Sequence, residues 1–150
     1  MRLVIQRTDE ASVWVAEEQV AAIGRGLLVL VGVEEADEEE DAAWLAKKVA
    51  QMRIFEDEDG KMNWSLQDIE GEVLLVSQFT LHAKTKKGNR PSFARAAHPE
   101  KAAILYDLLE KTLTAQYQIS CKKGVFGAHM DVRFNNNGPV TIFIDTKNKA

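Results

Sequence analysis

A nearly uninterrupted apolar run at residues 26–33 (GLLVLVGV) constrains the fold of this chain more than any other feature. The run is too short for a helix, and its lack of polar alternation is typical of a strand that is buried on both faces. A second run of this kind, VLLVSQF, occupies residues 73–79. Because a sheet with such strands must be covered, we expect helices to pack against it.

Two segments have the pattern of those helices. Apolar residues recur at helical spacing between Ala42 and Met52, which predicts an amphipathic helix over roughly residues 38–53. Pro99 fits the first position of a second helix. The apolar stripe of the second helix consists of Ala102, Leu105, Leu109 and Leu113.

Shorter β-prone segments lie near both ends of the chain. They occupy residues 2–7, 12–16, 20–23, 129–134 and 140–144. The predicted fold class is therefore α/β, with a mixed, partly antiparallel sheet and two main helices packed on it. We expect one domain over residues 1–150, with a disordered tail at residues 146–150 (TKNKA).

The composition is that of a globular domain, with 45% hydrophobic and 28% charged residues. No apolar run approaches the roughly eighteen residues that span a bilayer, and the N-terminus lacks the apolar segment of a signal peptide. The single cysteine, Cys121, excludes an internal disulfide and fits a reducing compartment. We therefore expect a cytoplasmic protein that does not bind membranes.

Basic residues cluster in one stretch, although the net charge of the chain is −4. Residues 34–41 (EEADEEED) are almost all acids, whereas residues 82–101 contain only Glu100 as an acid. The basic residues of the second stretch are Lys84, Lys86, Lys87, Arg90, Arg95 and Lys101. Such a run can contact the phosphates of a nucleic acid. Taken alone, it is more often a solvated surface loop.

No standard catalytic motif identifies an enzyme class. A Ser-His-Asp triad needs a histidine as base, and the chain has His82, His98 and His129 but no G-x-S-x-G elbow. On a strand, Thr80 and His82 would share a face and could pair, although this signal is weak. The cations after Cys121 could lower the pKa of its thiol, but a buried, inert cysteine is the commoner case. CxxC, HExxH, EF-hand, Walker A and GxGxxG patterns are also missing, so no metal or cofactor is expected.

Two short motifs remain to be explained. One is Ser77-Gln78-Phe79-Thr80, at the end of an apolar strand, and the other is NNGPVT at residues 136–141. Both match signature motifs of the D-aminoacyl-tRNA deacylase family, which the chain resembles from end to end. The other agreeing stretches are LVIQR, GLLVLVGV, RIF with DGKMN, KGNRPSF and GVFGAHM. The resemblance implies a barrel-like sheet, a homodimer, and hydrolysis of the ester bond that joins a D-amino acid to tRNA.

The resemblance also assigns catalytic roles to the first motif, Ser77 to Thr80. Backbone N–H groups around Gln78 and Phe79 would hold the substrate carbonyl, and the ribose 2′-OH of the tRNA would assist the attack. Thr80 has been cast as a nucleophile in this family. We rank that role below the backbone groups, because a threonine without a clear base is poorly activated.

Other positions follow from the same resemblance. Phe126, Met130 and Ala102 match pocket residues, although core packing is an alternative for all three and above all for Ala102. The residues expected to bind tRNA are Lys84, Lys86, Lys87 and Arg90. No binding to DNA is expected.

The second motif implies a means of selecting the stereochemistry of the substrate. Gly138 and Pro139 would be joined by a cis peptide bond, and their carbonyls would point into the active site of the partner subunit. An L-amino acid would drive its side chain into that wall, whereas a D-amino acid would present its hydrogen. Arg7 matches the arginine that props the motif. Glycine has no side chain to be rejected, so glycyl-tRNA mischarged on tRNA-Ala is expected to be a partial substrate.

Two other interpretations remain open. The chain could be a non-catalytic RNA-binding module that uses only the basic stretch. It could also be a hydrolase of small esters with Thr80 or Cys121 as nucleophile, which would form a covalent intermediate and would not need tRNA.

Overall fold

The computed structural model describes residues 1–150, and a five-stranded mixed sheet lies at its centre. In spatial order the strands are β10 (Thr141–Asp145), β1 (Arg2–Thr8), β4 (Gly26–Gly32), β7 (Glu72–Ser77) and β8 (Ser120–Lys123). Strand β1 is antiparallel to both of its neighbours, whereas β4, β7 and β8 are parallel. The two apolar runs form β4 and β7, and most of their residues are buried, which confirms the prediction of doubly covered strands.

Two helices cover one face of this sheet. They are α1 (Glu39–Gln51) and α2 (Pro99–Tyr117), and their apolar stripes join β1, β4 and β7 in a core of 22 buried residues. Glu38 and Asp41 form a capping box at the start of α1. Pro99 occupies the first turn of α2, where a backbone N–H would have no acceptor within the helix, so proline costs no hydrogen bond there. The predicted mixed α/β fold with two main helices is confirmed.

A smaller antiparallel sheet packs on part of the opposite face. It contains β2 (Ala11–Val15), β3 (Glu18–Ile23) and β9 (Asp131–Phe134), with β2 in the middle. Together with β4 and β7 it encloses a second, smaller core. A short hairpin of β5 (Phe55–Glu56) and β6 (Met62–Trp64) follows α1. No helix in the structure is both long and apolar enough to cross a membrane.

The structure corrects two predictions about the end of the chain. The segment predicted as a strand over residues 129–134 is extended only from Asp131, so His129 lies in the preceding loop. The expectation of a disordered tail is wrong for Thr146 and Lys147. The Thr146 N–H donates to the Met1 carbonyl at 2.9 Å, and Lys147 Nζ lies 3.0 Å from an Asp41 carboxylate oxygen. These contacts attach the residues after β10 to Met1 and to the start of α1.

Candidate active site

A cavity of about 900 Å³ opens at the carboxyl ends of β4 and β7. Side chains that follow the ends of parallel strands meet at one edge of a sheet, and binding sites form at that edge. Ser77, Gln78 and Phe79 line the cavity, as the sequence motif predicts. The other predicted pocket residues, Ala102, Phe126 and Met130, also line it. Thirteen of the 20 lining residues are hydrophobic, so the cavity suits a ligand with a large apolar surface.

A single 3₁₀ turn, Phe79–His82, begins directly after β7. The Leu81 N–H donates to the Gln78 carbonyl at 3.2 Å, and the Ala83 N–H donates to the Thr80 carbonyl at 3.1 Å. The first N–H groups of a helix have no acceptor within that helix. In this turn they belong to Phe79, which lines the cavity, and to Thr80, the next residue. N–H groups without an acceptor can bind a carbonyl oxygen.

The expectation for Gln78 needs correction. Its backbone N–H donates to the carbonyl oxygen of Val31 at 2.7 Å. The parallel ladder between β4 and β7 thus continues for one residue beyond the strand and occupies this donor. The sequence motif predicted that the N–H groups of Gln78 and Phe79 hold a substrate carbonyl. The N–H of Gln78 is occupied, so the free N–H groups are those of Phe79 and Thr80.

Close packing against β4 fixes the position of the 3₁₀ turn. A Cβ atom on Gly32 would lie 2.9 Å from the Leu81 Cβ and 3.1 Å from the Gln78 carbonyl oxygen. Real Cβ atoms are almost never this close to another side chain, so glycine is needed for the turn to approach the strand. On the cavity side, the rings of Phe79 and Phe93 meet edge to face at a centroid distance of 5.1 Å.

The structure does not support Thr80 as an activated nucleophile. Its hydroxyl accepts a hydrogen bond from the Gln78 side-chain amide and does not line the cavity. In a 3₁₀ turn, residues two apart point in different directions, so the possible pairing of Thr80 with His82 on one strand face does not occur. The His82 ring is instead buried, with Nδ1 3.6 Å from Glu34 Oε2. Burial lowers the pKa of His82 below 6.5 and outweighs the opposite effect of Glu34.

Cys121 is likewise not activated. It lies on β8 and packs against the main core, outside the cavity. Burial raises the pKa of its thiol to about 12, and the nearby carboxylate of Glu110 adds to this effect. The neighbouring lysines therefore do not lower this pKa, and Cys121 is a buried, inert cysteine. At neutral pH the thiol is protonated, which makes it a poor nucleophile.

The Gly138-Pro139 peptide bond is cis, as the family resemblance implies. Neither residue lines the cavity of its own chain. Gly138 has a φ of +129°, and a Cβ atom there would lie 2.9 Å from Val140 and 3.0 Å from an Arg7 guanidinium nitrogen. The motif is thus a separate surface feature at the start of β10.

Arg7 supports this motif from the sheet. Its buried guanidinium donates through Nε to the Asn137 carbonyl at 3.1 Å and through Nη1 to the Ile54 carbonyl at 2.8 Å. The Arg7 N–H also donates to the Val140 carbonyl at 3.1 Å, so both flanks of Gly138-Pro139 are bonded to β1. This arrangement agrees with the propping role that the resemblance assigns to Arg7.

The predicted tRNA-binding residues lie together on one exposed loop. Lys84 and Ser92 close the loop through two backbone hydrogen bonds of 2.8 and 3.0 Å. Lys84, Lys86, Lys87 and Arg90 are all exposed, and none of them forms an ion pair with an acid. Phe93 follows the loop and lines the cavity, so the loop leads directly into the cavity wall.

Several cavity residues have no counterpart among the predicted site residues. The polar ones are Glu35, His98 and His129, and the largest apolar one is Phe93. Phe93 could have been identified from the sequence, because it is an aromatic residue inside a basic stretch that contains glycine. The structure contains no group of three or more histidine, cysteine, aspartate or glutamate side chains that could hold a metal ion.

Comparison with known proteins gives a consistent result. A family model described as D-Tyr-tRNA(Tyr) deacylase matches residues 4–145. A protein from Akkermansia muciniphila named D-aminoacyl-tRNA deacylase is 56% identical over 149 residues, which cover 99% of each chain. A protein of the same name from Bacillus pumilus is 54% identical and covers 98% of this chain and 99% of its own.

Solved structures have the same fold. One titled "c-Myc DNA Unwinding Element Binding Protein" has a TM-score of 0.92 at 41% identity and covers 97% of this chain and 99% of its own. A second, titled as a probable eukaryotic D-amino acid tRNA deacylase, has a TM-score of 0.80 at 20% identity, with coverage of 95% and 97%. At that identity it supports the fold alone. The family model and the full-length relatives establish that the chain belongs to the D-Tyr-tRNA(Tyr) deacylase family.

Proposed function

We propose that the protein hydrolyses the ester bond of D-aminoacyl-tRNA and releases a free D-amino acid and tRNA. The observation that carries this proposal is the 3₁₀ turn Phe79–His82, whose first N–H groups lie beside an apolar cavity at the end of two parallel strands. Family membership supplies the chemical class. The biological role would be proofreading, as part of translation quality control in the cytoplasm.

The turn would act on the charge that develops during hydrolysis. As a water oxygen adds to the ester carbonyl carbon, the carbonyl oxygen gains negative charge, which the Phe79 and Thr80 N–H groups would stabilise. The bond between the carbonyl carbon and the ribose oxygen then breaks, and that oxygen takes up the proton given off by the attacking water to become the terminal hydroxyl of tRNA. The neighbouring ribose 2′-OH would orient the attacking water. An aminoacyl ester is reactive enough that positioning and charge stabilisation can replace a protein nucleophile.

Stereochemical selection would come from a second copy of the chain. Gly138 and Pro139 lie outside their own cavity and are fixed by Arg7, which fits a wall presented to a partner subunit. A homodimer is further supported by an uncovered part of the central sheet, where Val4 and Leu30 lie beside Phe143, which is 58% exposed. Apolar side chains grouped on an exposed face commonly mark an interface.

The proposed wall of Gly138 and Pro139 also predicts how the protein acts on glycyl-tRNA. An L-side chain would collide with the carbonyls of Gly138 and Pro139, whereas glycine has no side chain on either face. Glycyl-tRNA, including glycine mischarged on tRNA-Ala, would therefore be a partial substrate. Selection by collision rejects one class of ligand without favouring a particular D-side chain.

The basic loop would bind the tRNA backbone. Lys84, Lys86, Lys87 and Arg90 have no acidic partner in the chain, and their loop leads into Phe93, which lines the cavity. Phosphates of RNA and DNA attract such cations equally, and one similar structure is titled as a DNA-element-binding protein. The proposed use of the ribose 2′-OH favours RNA, because DNA lacks this group.

Deacylation of D-tyrosyl-tRNA and L-tyrosyl-tRNA tests the proposed function. We expect turnover of the D-ester, much slower turnover of the L-ester, and no covalent enzyme intermediate by mass spectrometry. Binding without turnover would instead indicate a non-catalytic RNA-binding module. Hydrolysis of free tyrosine esters through an acyl-enzyme would indicate a small-ester hydrolase with a Thr80 or Cys121 nucleophile.

A further inference from the structure

Glu34 is a buried acid that the proposed mechanism does not use. It lies just beyond β4, and its side chain is only 6% exposed. Its Oε2 accepts a hydrogen bond from an Arg95 guanidinium nitrogen at 2.8 Å and lies 3.6 Å from His82 Nδ1. A buried carboxylate is costly unless its partners compensate for the hydration it gives up, so the position of Glu34 depends on these neighbours.

Arg95 lies in the chain between residues that form one wall of the cavity. The Ala97 N–H donates to the Val33 carbonyl at 2.9 Å, and Glu34 pairs with Ala96 in an isolated β-bridge. Ala96, Ala97 and His98 line the cavity directly after Arg95. The contact between Glu34 and Arg95 therefore attaches this wall to the end of β4.

His82 belongs to the 3₁₀ turn that forms a second wall of the cavity through Phe79. It is the last residue of the 3₁₀ turn whose first residue is Phe79. Its side chain is 1% exposed, and neither ring nitrogen has a hydrogen-bond partner. The acid nearest to the ring is Glu34, whose Oε2 lies 3.6 Å from Nδ1 without a hydrogen bond. The charges around the ring are Glu34 beyond β4, Arg2 of β1 and the Met1 amine.

We propose that Glu34 is a positioning residue for the deacylase site: its carboxylate, hydrogen-bonded by Arg95 and packed beside the buried His82 ring, holds the 3₁₀ turn and the Ala96–His98 wall at a fixed separation. This inference rests on the proposed function, because the turn presents the N–H groups assigned to the oxyanion. The edge contact of Phe79 with Phe93 joins the same two walls on the cavity side. A change in either wall would move the Phe79 and Thr80 N–H groups relative to the bound ester.

Glu34→Gln tests the proposal, since the amide keeps the shape and removes the charge. Misplacement of reacting groups by about 1 Å can cost on the order of 100-fold in rate, so we expect the single-turnover rate on D-tyrosyl-tRNA to fall at least about tenfold. The Kd for uncharged tRNA should change less than about twofold, because the cations of the basic loop are untouched. Asp107→Asn, which removes an exposed partner of Lys123, is the matched control and should leave both values unchanged.

A double-mutant cycle separates positioning from general destabilisation. Arg95→Ala should slow the reaction, and adding Glu34→Gln to it should cost less than Glu34→Gln does alone, because the two residues act through one contact. Arg95→Lys should restore part of the rate. Additive effects, or a Glu34→Gln variant that is folded and fully active, would overturn the proposal. So would a loss confined to tRNA affinity.

Amide hydrogen exchange gives a result that does not depend on activity. In Glu34→Gln the Ala97 N–H should lose protection, whereas the Ile119 N–H, bonded to the Leu113 carbonyl at the far end of α2, should keep it. If the Glu34 variant does not fold, the same measurement on Arg95→Ala decides the matter. Unchanged Ala97 protection there would contradict the proposal. Wild-type protein that is inactive on D-tyrosyl-tRNA would refute the proposed function, while the exchange result would still report on this contact.

Discussion

Arg7 and Asn137 bind each other through both main chain and side chains. The Asn137 N–H donates to the Arg7 carbonyl at 2.9 Å, and the Arg7 guanidinium donates to the Asn137 carbonyl at 3.1 Å and to its Oδ1 at 3.2 Å. Asn137 immediately precedes Gly138, so the motif takes its position from a residue buried at the edge of the main core. A surface segment held in this way can act as a rigid wall.

Arg7→Lys should therefore weaken stereochemical selection. Lysine keeps the charge but cannot reach Ile54 and Asn137 together, and removing a hydrogen bond to a charged group costs about 1.5–3 kcal/mol. We expect a lower Tm and a smaller ratio of D- to L-tyrosyl-tRNA hydrolysis rates. The control is Arg133→Lys on exposed β9, which should keep both values. An unchanged ratio in the Arg7 variant would remove the propping role.

Thr80→Ala should retain substantial deacylase activity, within about tenfold of wild type, because the proposed mechanism uses the Thr80 N–H and not its hydroxyl. Thr114→Ala on α2 controls for removal of a hydroxyl. Activity at background in a folded Thr80 variant would instead support a threonine nucleophile.

Substrate that ends in 2′-deoxyadenosine tests the same mechanism from the RNA side. Without the 2′-OH to orient water, turnover should fall by more than tenfold, which corresponds to over about 1.4 kcal/mol of barrier. Steady-state and single-turnover rates on both esters measure the effect. Equal rates would show that the protein alone activates the water.

Charge reversal of Lys86 and Lys87 should weaken tRNA binding and reduce its salt dependence. For each lysine that no longer neutralises a phosphate, the plot of log K against log salt should flatten by roughly 0.7–0.9. Reversal of Lys47 and Lys111, which are exposed on the two helices, changes the net charge equally and is the control. If both double variants have the same slope, the loop is a solvated surface and does not bind tRNA.

His82 should make folding stability depend on pH in mild acid. Burial lowers the pKa of His82 below its ordinary 6.5, so the unfolded chain binds a proton that the folded chain does not. Stability is then fully present above pH 6.5 and declines as the pH falls below it. His82→Phe should flatten the decline of Tm between about pH 6.5 and 4.5. The partly buried carboxylates of Asp41 and Asp145 have pKa values below 3.8 and act only at lower pH.

The same titration in His129→Phe serves as the control for this prediction, since His129 is exposed in the loop before β9. We expect its pH dependence to match that of the wild type. A His82 variant with the wild-type slope would show that the buried ring is not the source of the acid sensitivity.

The strands and helices were the predictable part of this fold. Residues 26–33 have no polar alternation, and the apolar stripe of α2 repeats at helical spacing, so local pattern and burial agree in both. The 3₁₀ turn was harder to predict from the sequence. Apolar Phe79 extends the pattern of β7, although the strand ends at Ser77 and the chain then turns. The partner of His82 was not predictable at all. Glu34 lies within an acidic block, and only the fold buries it beside a residue 48 positions away.

The central claim is that Gly138 and Pro139 of one subunit complete the active site of the other. Two variants test it when mixed: Ala102→Trp, which fills the cavity, and Gly138→Val, which places a branched side chain where the structure leaves no room. Each homodimer should be nearly inactive on D-tyrosyl-tRNA, because both of its sites contain one damaged part.

In a mixed dimer, one site would combine the intact cavity of the Gly138→Val chain with the intact wall of the Ala102→Trp chain. After co-refolding at equal concentrations, random pairing in a two-fold symmetric dimer should restore about a quarter of the wild-type deacylation rate. The restored activity should be selective for the D-ester. A mixture no more active than its components, with mixed dimers demonstrated by native mass spectrometry, would contradict a site shared between subunits.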